Sequence, residues 1–255
     1  MIWRALFAST TALALLAAVC GPLPDDTDAG TPDAGGGVEP VCTEPKALAC
    51  EDQLYLQLTY QTFASSGGVT TTEDNGVFTS TIDATAGGMG GSASNPFVYA
   101  RFTESGLEKL DISDDEALSS MEWHLSARRF VILTNGGAAG PACVGVAAVD
   151  GDFDAVTAPP ADGAFAEEAF YDGSCNYVAD TRYDGFDGPD SILKEWWQFN
   201  DCVATSGQVF VLRLADGRHV KLVVDAYYAS GQEDCNTMGL MGTGSANLTL
   251  RWAWL

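Results

Sequence analysis

The chain has 255 residues, with 12 Lys and Arg against 35 Asp and Glu, and a formal net charge of −23. Neutralising phosphates needs clustered bases, so nucleic-acid binding through a basic footprint is excluded. Apolar residues make up 46% and charged ones 18%, with 28 glycines, which fits a turn-rich β domain rather than a disordered acidic polymer or a bundle of charged helices.

Residues 1–19 carry one base, Arg4, and then an apolar and small-residue run from Ala5 to Val19 with no acid before Asp25. The run is short for a membrane span and reads as a secretory signal. It ends in Cys20-Gly21, which resembles the lipidation site of bacterial lipoproteins, with Val19 where a smaller residue is usual. The resemblance implies a lipid on Cys20, a membrane anchor and sorting to an outer membrane. Residues 20–41 are acidic, rich in Pro and Gly and unable to bury apolar surface, so they are expected to form a disordered tether. The folded part is then 42–255.

From residue 51 the pattern is β. Leu54, Leu56, Leu58 and Tyr60 alternate with Tyr55, Gln57 and Thr59, which predicts a first strand. Residues 64–95 predict short strands and loops, with Gly87-Gly88-Met89-Gly90-Gly91 as a flexible loop. Phe97–Phe102 is the next expected strand, 113–120 a turn or short helix, and Met121–Thr134 one long strand ending in the Asn135-Gly136-Gly137 turn. Val144–Val149 is short and apolar, 150–191 reads mainly as loops, and Trp196–Asn200 is aromatic and packed. Residues 208–214 and 218–228 around Ala215-Asp216-Gly217 predict a hairpin. A loop with Cys235, Met238 and Met241 leads to a last strand at 246–255. The expectation is one all-β antiparallel domain.

Seven cysteines are present. If Cys20 carries lipid, then Cys42, Cys50, Cys143, Cys175, Cys202 and Cys235 remain, an even set suited to three disulfides outside the cytoplasm. Only Cys42–Cys50 has a local argument, since it would close a short loop and pin the tether to the first strand.

The segment from about 96 to 255 resembles the HmuY-type family of exported bacterial lipoproteins, whose best-known members bind haem. The match begins at Trp123-His124-Leu125-Ser126-Ala127-Arg128-Arg129 and runs to Thr134-Asn135-Gly136-Gly137. It continues through Phe153-Asp154-Ala155-Val156-Thr157-Ala158-Pro159 and ends with the hairpin 215–222, Tyr227-Tyr228 and the aromatic last strand. These read as scaffold residues, a strand Trp burying large area and paired glycines freeing a turn. The resemblance implies an all-β fold, surface anchoring, capture of haem or a related tetrapyrrole, and an outer-membrane receptor as partner. Iron in the family is held by side chains such as His or Met from loops around a cleft, and here 138–195 contains neither.

Candidate ligands are therefore sought elsewhere. His124 and His219, the chain's two histidines, could ligate iron from a strand and from a hairpin end. Met238 and Met241, with Met89 beside its glycines, offer thioethers or mobile apolar contacts. Tyr171, Tyr177 and Tyr183, with Phe170 and Phe186, could face a flat macrocycle. The Asp-Gly runs 150–154 and 184–190 could gather oxygens for calcium, although such pairs also make ordinary turns. No nucleophile, zinc-protease or nucleotide-binding motif occurs, so no enzyme is expected. The alternative is a surface module that has lost haem and binds a protein, a glycan or calcium.

Overall fold

The computed structural model describes residues 39–85 and 94–255. The signal peptide, Cys20, most of the tether and Met89 lie outside the described residues.

Among the described residues twelve strands form three antiparallel sheets. β1 (Val69–Asp74) and β2 (Val77–Asp83) join at Asn75-Gly76, both with positive φ, the backbone that a tight hairpin of right-handed strands needs. β3 (Val98–Thr103) and β4 (Gly106–Leu110) make the next hairpin. β5 is Leu125–Arg128, β6 Val131–Thr134 and β7 Gly145–Val149. β8 (Trp197–Phe199) and β9 (Val203–Thr205) form a small ribbon. β10 (Val209–Arg213), β11 (His219–Tyr228) and β12 (Ser245–Trp254) complete the order. The large sheet runs β1-β2-β12-β11-β10-β7 and the smaller one β4-β3-β5-β6.

Period two sorts the side chains. Val98, Ala100 and Phe102 of β3, with Leu125 and Ala127 of β5, share one buried cluster with Ile82, Phe210, Leu222, Leu250 and Trp252 of the large sheet. The opposite face of the small sheet, carrying Phe97, Tyr99 and Leu133, is covered by Leu54, Leu58, Trp123 and Phe170. Trp123 and Asn135, two of the family-like residues, are scaffold. Trp123 is 1% exposed and donates its indole N–H to the Ala117 carbonyl at 3.0 Å. Asn135, fully buried, bridges the Ser120 and Trp123 carbonyls and the Ala142 N–H.

Four expectations need correction. The predicted first strand is a helix, α1 (Glu51–Gln57). Leu54 and the residue just past the helix end, Leu58, are four apart and both face the core, while Leu56 is 69% exposed, so the working period is helical. Met121–Thr134 is a hairpin rather than one strand, since β5 and β6 pair with Arg128 opposite Val131. Two consecutive arginines cannot both leave an apolar sheet on one side, and the chain turns at the second. The methionine loop starts as a helix, α3 (Glu233–Met238), stopped by Gly239 at φ 69°. Finally, Cys42 bonds Cys143 and Cys50 bonds Cys175, with Cys202–Cys235 as the third bridge. The local Cys42–Cys50 pairing fails because α1 carries Cys50 toward the 171–177 loop, while Val41 and Cys42 hydrogen-bond the Ala215 carbonyl. The expected 113–120 element holds a short helix, α2 (Asp114–Ala117), capped by Ser113 and Glu116 in both directions.

Candidate functional site

A cavity of about 430 Å³ opens between three pieces of chain: the end of α1 (Gln57–Thr59), the β5–β6 turn (Arg128–Val131), and a loop giving Tyr177, Ala179 and Asp187–Pro189. That volume suits a small molecule.

Each wall is held in place by identifiable chemistry. Arg128 is 7% exposed, lies 4.2 Å over the Phe97 ring, and donates from Nη1 to the Leu58 carbonyl at 2.8 Å and the Asn95 carbonyl at 3.1 Å, which ties the α1 end to the turn. The Cys50–Cys175 disulfide staples α1 to the loop carrying Tyr177. Glu168, 2% exposed, accepts from the N–H and hydroxyl of Thr134 and from the Ile192 N–H, fastening both ends of the 168–192 loop to β6. Burial pushes its carboxyl up to about 7. Two non-glycine residues of the walls, Thr59 (φ 49°) and Arg129 (φ 55°), have the left-handed backbone that L-residues avoid.

Of the haem-ligand candidates among the described residues only Tyr177 lines this cavity, joined there by Asp187 of the 184–190 run. Burial pushes its phenol pKa up, and that of neighbouring Tyr171 to about 12, so both stay protonated. Tyr171 packs 5.9 Å from Tyr177 and 5.1 Å from Phe170. Tyr183 packs instead against Trp197, tilted, and edge-on against Phe199, which also meets Phe186. His124 is structural: its Nδ1 accepts the Phe102 N–H at 3.0 Å, its ring lies parallel to Phe102, and burial lowers its pKa to about 4. His219 packs against Phe165 opposite Arg213, with burial and that guanidinium lowering its pKa. Met238 and Met241 are 60% and 65% exposed, away from the cavity walls. Among the described residues no group of three or more His, Cys, Asp or Glu is arranged to hold a metal ion, so neither histidine nor the two Asp-Gly runs belongs to such a cluster.

The 184–190 run is a candidate for calcium from sequence, and its Asp187–Pro189 part lines the cavity, but Arg128 and Arg129 are not singled out there as site residues. The signal is an Arg-Arg pair inside a mostly apolar run, Leu125–Leu133, which is costly unless the chain turns there or meets a ligand.

A comparison with curated proteins returns no match. Solved structures with similar backbones include one described as an HmuY-like haem-binding protein of Bacteroides vulgatus, at 17% identity, covering 75% of this chain and 97% of that one, TM-score 0.46. Another is a structure described as a lipoprotein of Bacteroides fragilis, at 17% identity, 75% and 94% coverage, TM-score 0.44. A third is the apo HmuY analogue of Tannerella forsythia, at 16% identity, 76% and 97% coverage, TM-score 0.37. The family assignment rests on the sequence itself: the family model for the HmuY protein matches residues 49–238, from the start of α1 through α3 and so across all three walls of the cavity, and the chain belongs to the HmuY family.

Proposed function

We propose that this chain is a non-enzymatic, exported binding protein, anchored to an outer membrane by lipid on Cys20, whose cavity beside the β5–β6 turn takes haem or a similarly flat apolar ligand. Family membership supports the ligand class, and three disulfides fit an oxidising compartment. The observation that carries the reading is the 430 Å³ cavity walled by Phe130, Val131, Tyr177 and Pro189 with arginine at its rim.

Affinity in this site comes from burying the macrocycle. The phenol of Tyr177 is held protonated, and the histidines and Met238 and Met241 lie off the walls, so iron ligation by them contributes nothing. Titrating the purified protein with hemin, while following the Soret band, is expected to show saturation near one equivalent. Val131→Trp, which fills the cavity, is expected to abolish it. His124→Ala, His219→Ala and the Met238/Met241 double substitution should leave the bound spectrum unchanged. A spectrum identical to free hemin at micromolar protein, or uptake indifferent to Val131→Trp, sinks the proposal.

A further inference from the structure

Eight of the Lys and Arg side chains among the described residues lie within 4 Å of a carboxylate. Arg128 and Lys221 instead give their protons to backbone carbonyls. Among the described residues Arg129 alone has neither an ion pair nor a side-chain hydrogen bond, and its Nε is buried without a partner. In a chain of net charge −23 an unpaired guanidinium is unexpected on electrostatic grounds, because acids outnumber bases almost three to one.

Two further observations converge on the same residue. Arg129 lines the proposed ligand cavity, and its backbone is in the left-handed region at the first loop position of a two-residue turn, where glycine is the usual choice. Its N–H is spent on the Ala84 carbonyl at 2.9 Å, which fixes the strained backbone, while its guanidinium lies 5.0 Å from the Phe130 ring. Strain and an unmatched charge are thus kept together on one wall of a cavity lined by both apolar side chains (Phe130, Val131, Pro189) and polar ones (Gln57, Thr59, Asp187).

We infer that Arg129 is the anion anchor of this cavity, and that the guest carries a carboxylate at the edge of its apolar body, received by the guanidinium in a two-pronged hydrogen bond. The inference rests on the cavity being the ligand site. A carboxylate is favoured over a phosphate because one guanidinium is available, Asp187 shares the cavity, and the acidic protein repels a multiply charged guest.

The test compares hemin, which has two free carboxylates, with hemin dimethyl ester, on wild type, Arg129→Gln, Arg129→Lys and Arg129→Gly. A charge-assisted pair sets the scale, so Arg129→Gln should weaken hemin by about tenfold or more while changing the ester by less than about twofold. Arg129→Lys should retain part of the preference for the acid. Arg129→Gly relieves the backbone, so its melting temperature should not fall, and a loss of hemin then reports the missing charge in a folded protein. Equal losses for acid and ester, or an undiminished hemin affinity in Arg129→Gln, overturn the anchor while leaving the cavity as the haem site. Wild type that takes up neither compound overturns the site itself, and the anchor with it.

Discussion

Two hairpin turns of this protein each place an arginine at a tight corner, and they solve the problem in opposite ways. At β10–β11 the left-handed backbone falls on Gly217 (φ 84°), and Arg218 beside it is paired with Asp216 and Glu104. At β5–β6 the left-handed backbone falls on Arg129 itself, which is left unpaired. The first turn has the residue types that stability alone would select. The second carries strain and an uncompensated charge on the wall of the cavity between α1, the β5–β6 turn and the loop of Tyr177. Departures from local stability that cluster in one place are the physical mark of a site, since elsewhere they are removed at no functional cost.

The largest effect that sharpens this contrast concerns the disulfides on either side of it. Cys50–Cys175 joins two walls of the cavity, whereas Cys202–Cys235 is buried between the β8–β9 ribbon and α3. Replacing either pair by alanine should lower stability by about 2–5 kcal/mol in denaturant unfolding. Only loss of Cys50–Cys175 should also weaken hemin uptake in protein that is still folded. Equal effects on hemin would erase the distinction between the two ends.

Next comes the pH dependence of the loop that forms the third wall. Glu168 has its pKa raised by burial from 4.5 to about 7, with Asp190 adding in the same direction against hydrogen bonds from Ile192 and Thr134. A raised carboxyl favours the fold when protonated, so its contribution is complete below about 4.5 and lost as pH rises through about 7. Relative to Glu168→Gln, wild type should therefore gain stability as pH falls from 8 to 5, by about 3 kcal/mol at most. Asp114, raised to about 6 by burial, titrates in both proteins and drops out of the difference. A difference that is flat with pH, or grows as pH rises, would mean that the hydrogen bonds from Thr134 and Ile192 outweigh burial.

At the turns themselves the signs should oppose. Arg129→Gly removes a left-handed non-glycine residue and should raise stability by roughly 1 kcal/mol, net of glycine's backbone entropy. Gly217→Ala forces a side chain into that backbone and should cost about 1 kcal/mol or more. Thermal unfolding of both variants decides it, and two changes of the same sign would remove strain as the difference between the turns.

Most of the scaffold was legible because it is written in period two and turn chemistry. The strands at 98–103, 145–149, 209–213, 219–228 and 245–254 follow alternation bounded by glycine turns. α1 was misread because Leu54, Leu56, Leu58 and Tyr60 satisfy a strand, while Leu54 and Leu58 alone satisfy a helix; only burial separates the two, and Leu56 proves exposed. The cysteine set was legible as a count and not as pairs, since Cys50 and Cys175 are 125 positions apart and meet through tertiary folding. The site was the least legible part. His124 has the chemistry of an iron ligand, yet its Nδ1 is consumed by the Phe102 N–H, a contact that only the β3–β5 register creates. Arg129 reads from sequence as part of a Met121–Thr134 strand, and its role depends on a turn hidden inside that run.

The smallest effect is the most exacting test of the comparison. Arg218 has a side chain 40% exposed, its partners Asp216 and Glu104 are 48% and 79% exposed, and its guanidinium covers the Trp254 ring at 4.3 Å. Solvent screens both ion pairs, so Arg218→Gln should change stability by less than about 1 kcal/mol, and less still in high salt. It should leave hemin affinity untouched, because Arg218 lies off the cavity walls. The same substitution at Arg129 should be as mild for stability, since no ion pair is lost, and severe for the acid ligand. Chemically identical changes at two turns would then differ only in ligand binding, which separates an arginine held for a guest from one that neutralises its neighbours. If Arg218→Gln weakens hemin as much as Arg129→Gln does, the effect is one of net charge on an acidic protein, and the position of the guanidinium loses its meaning.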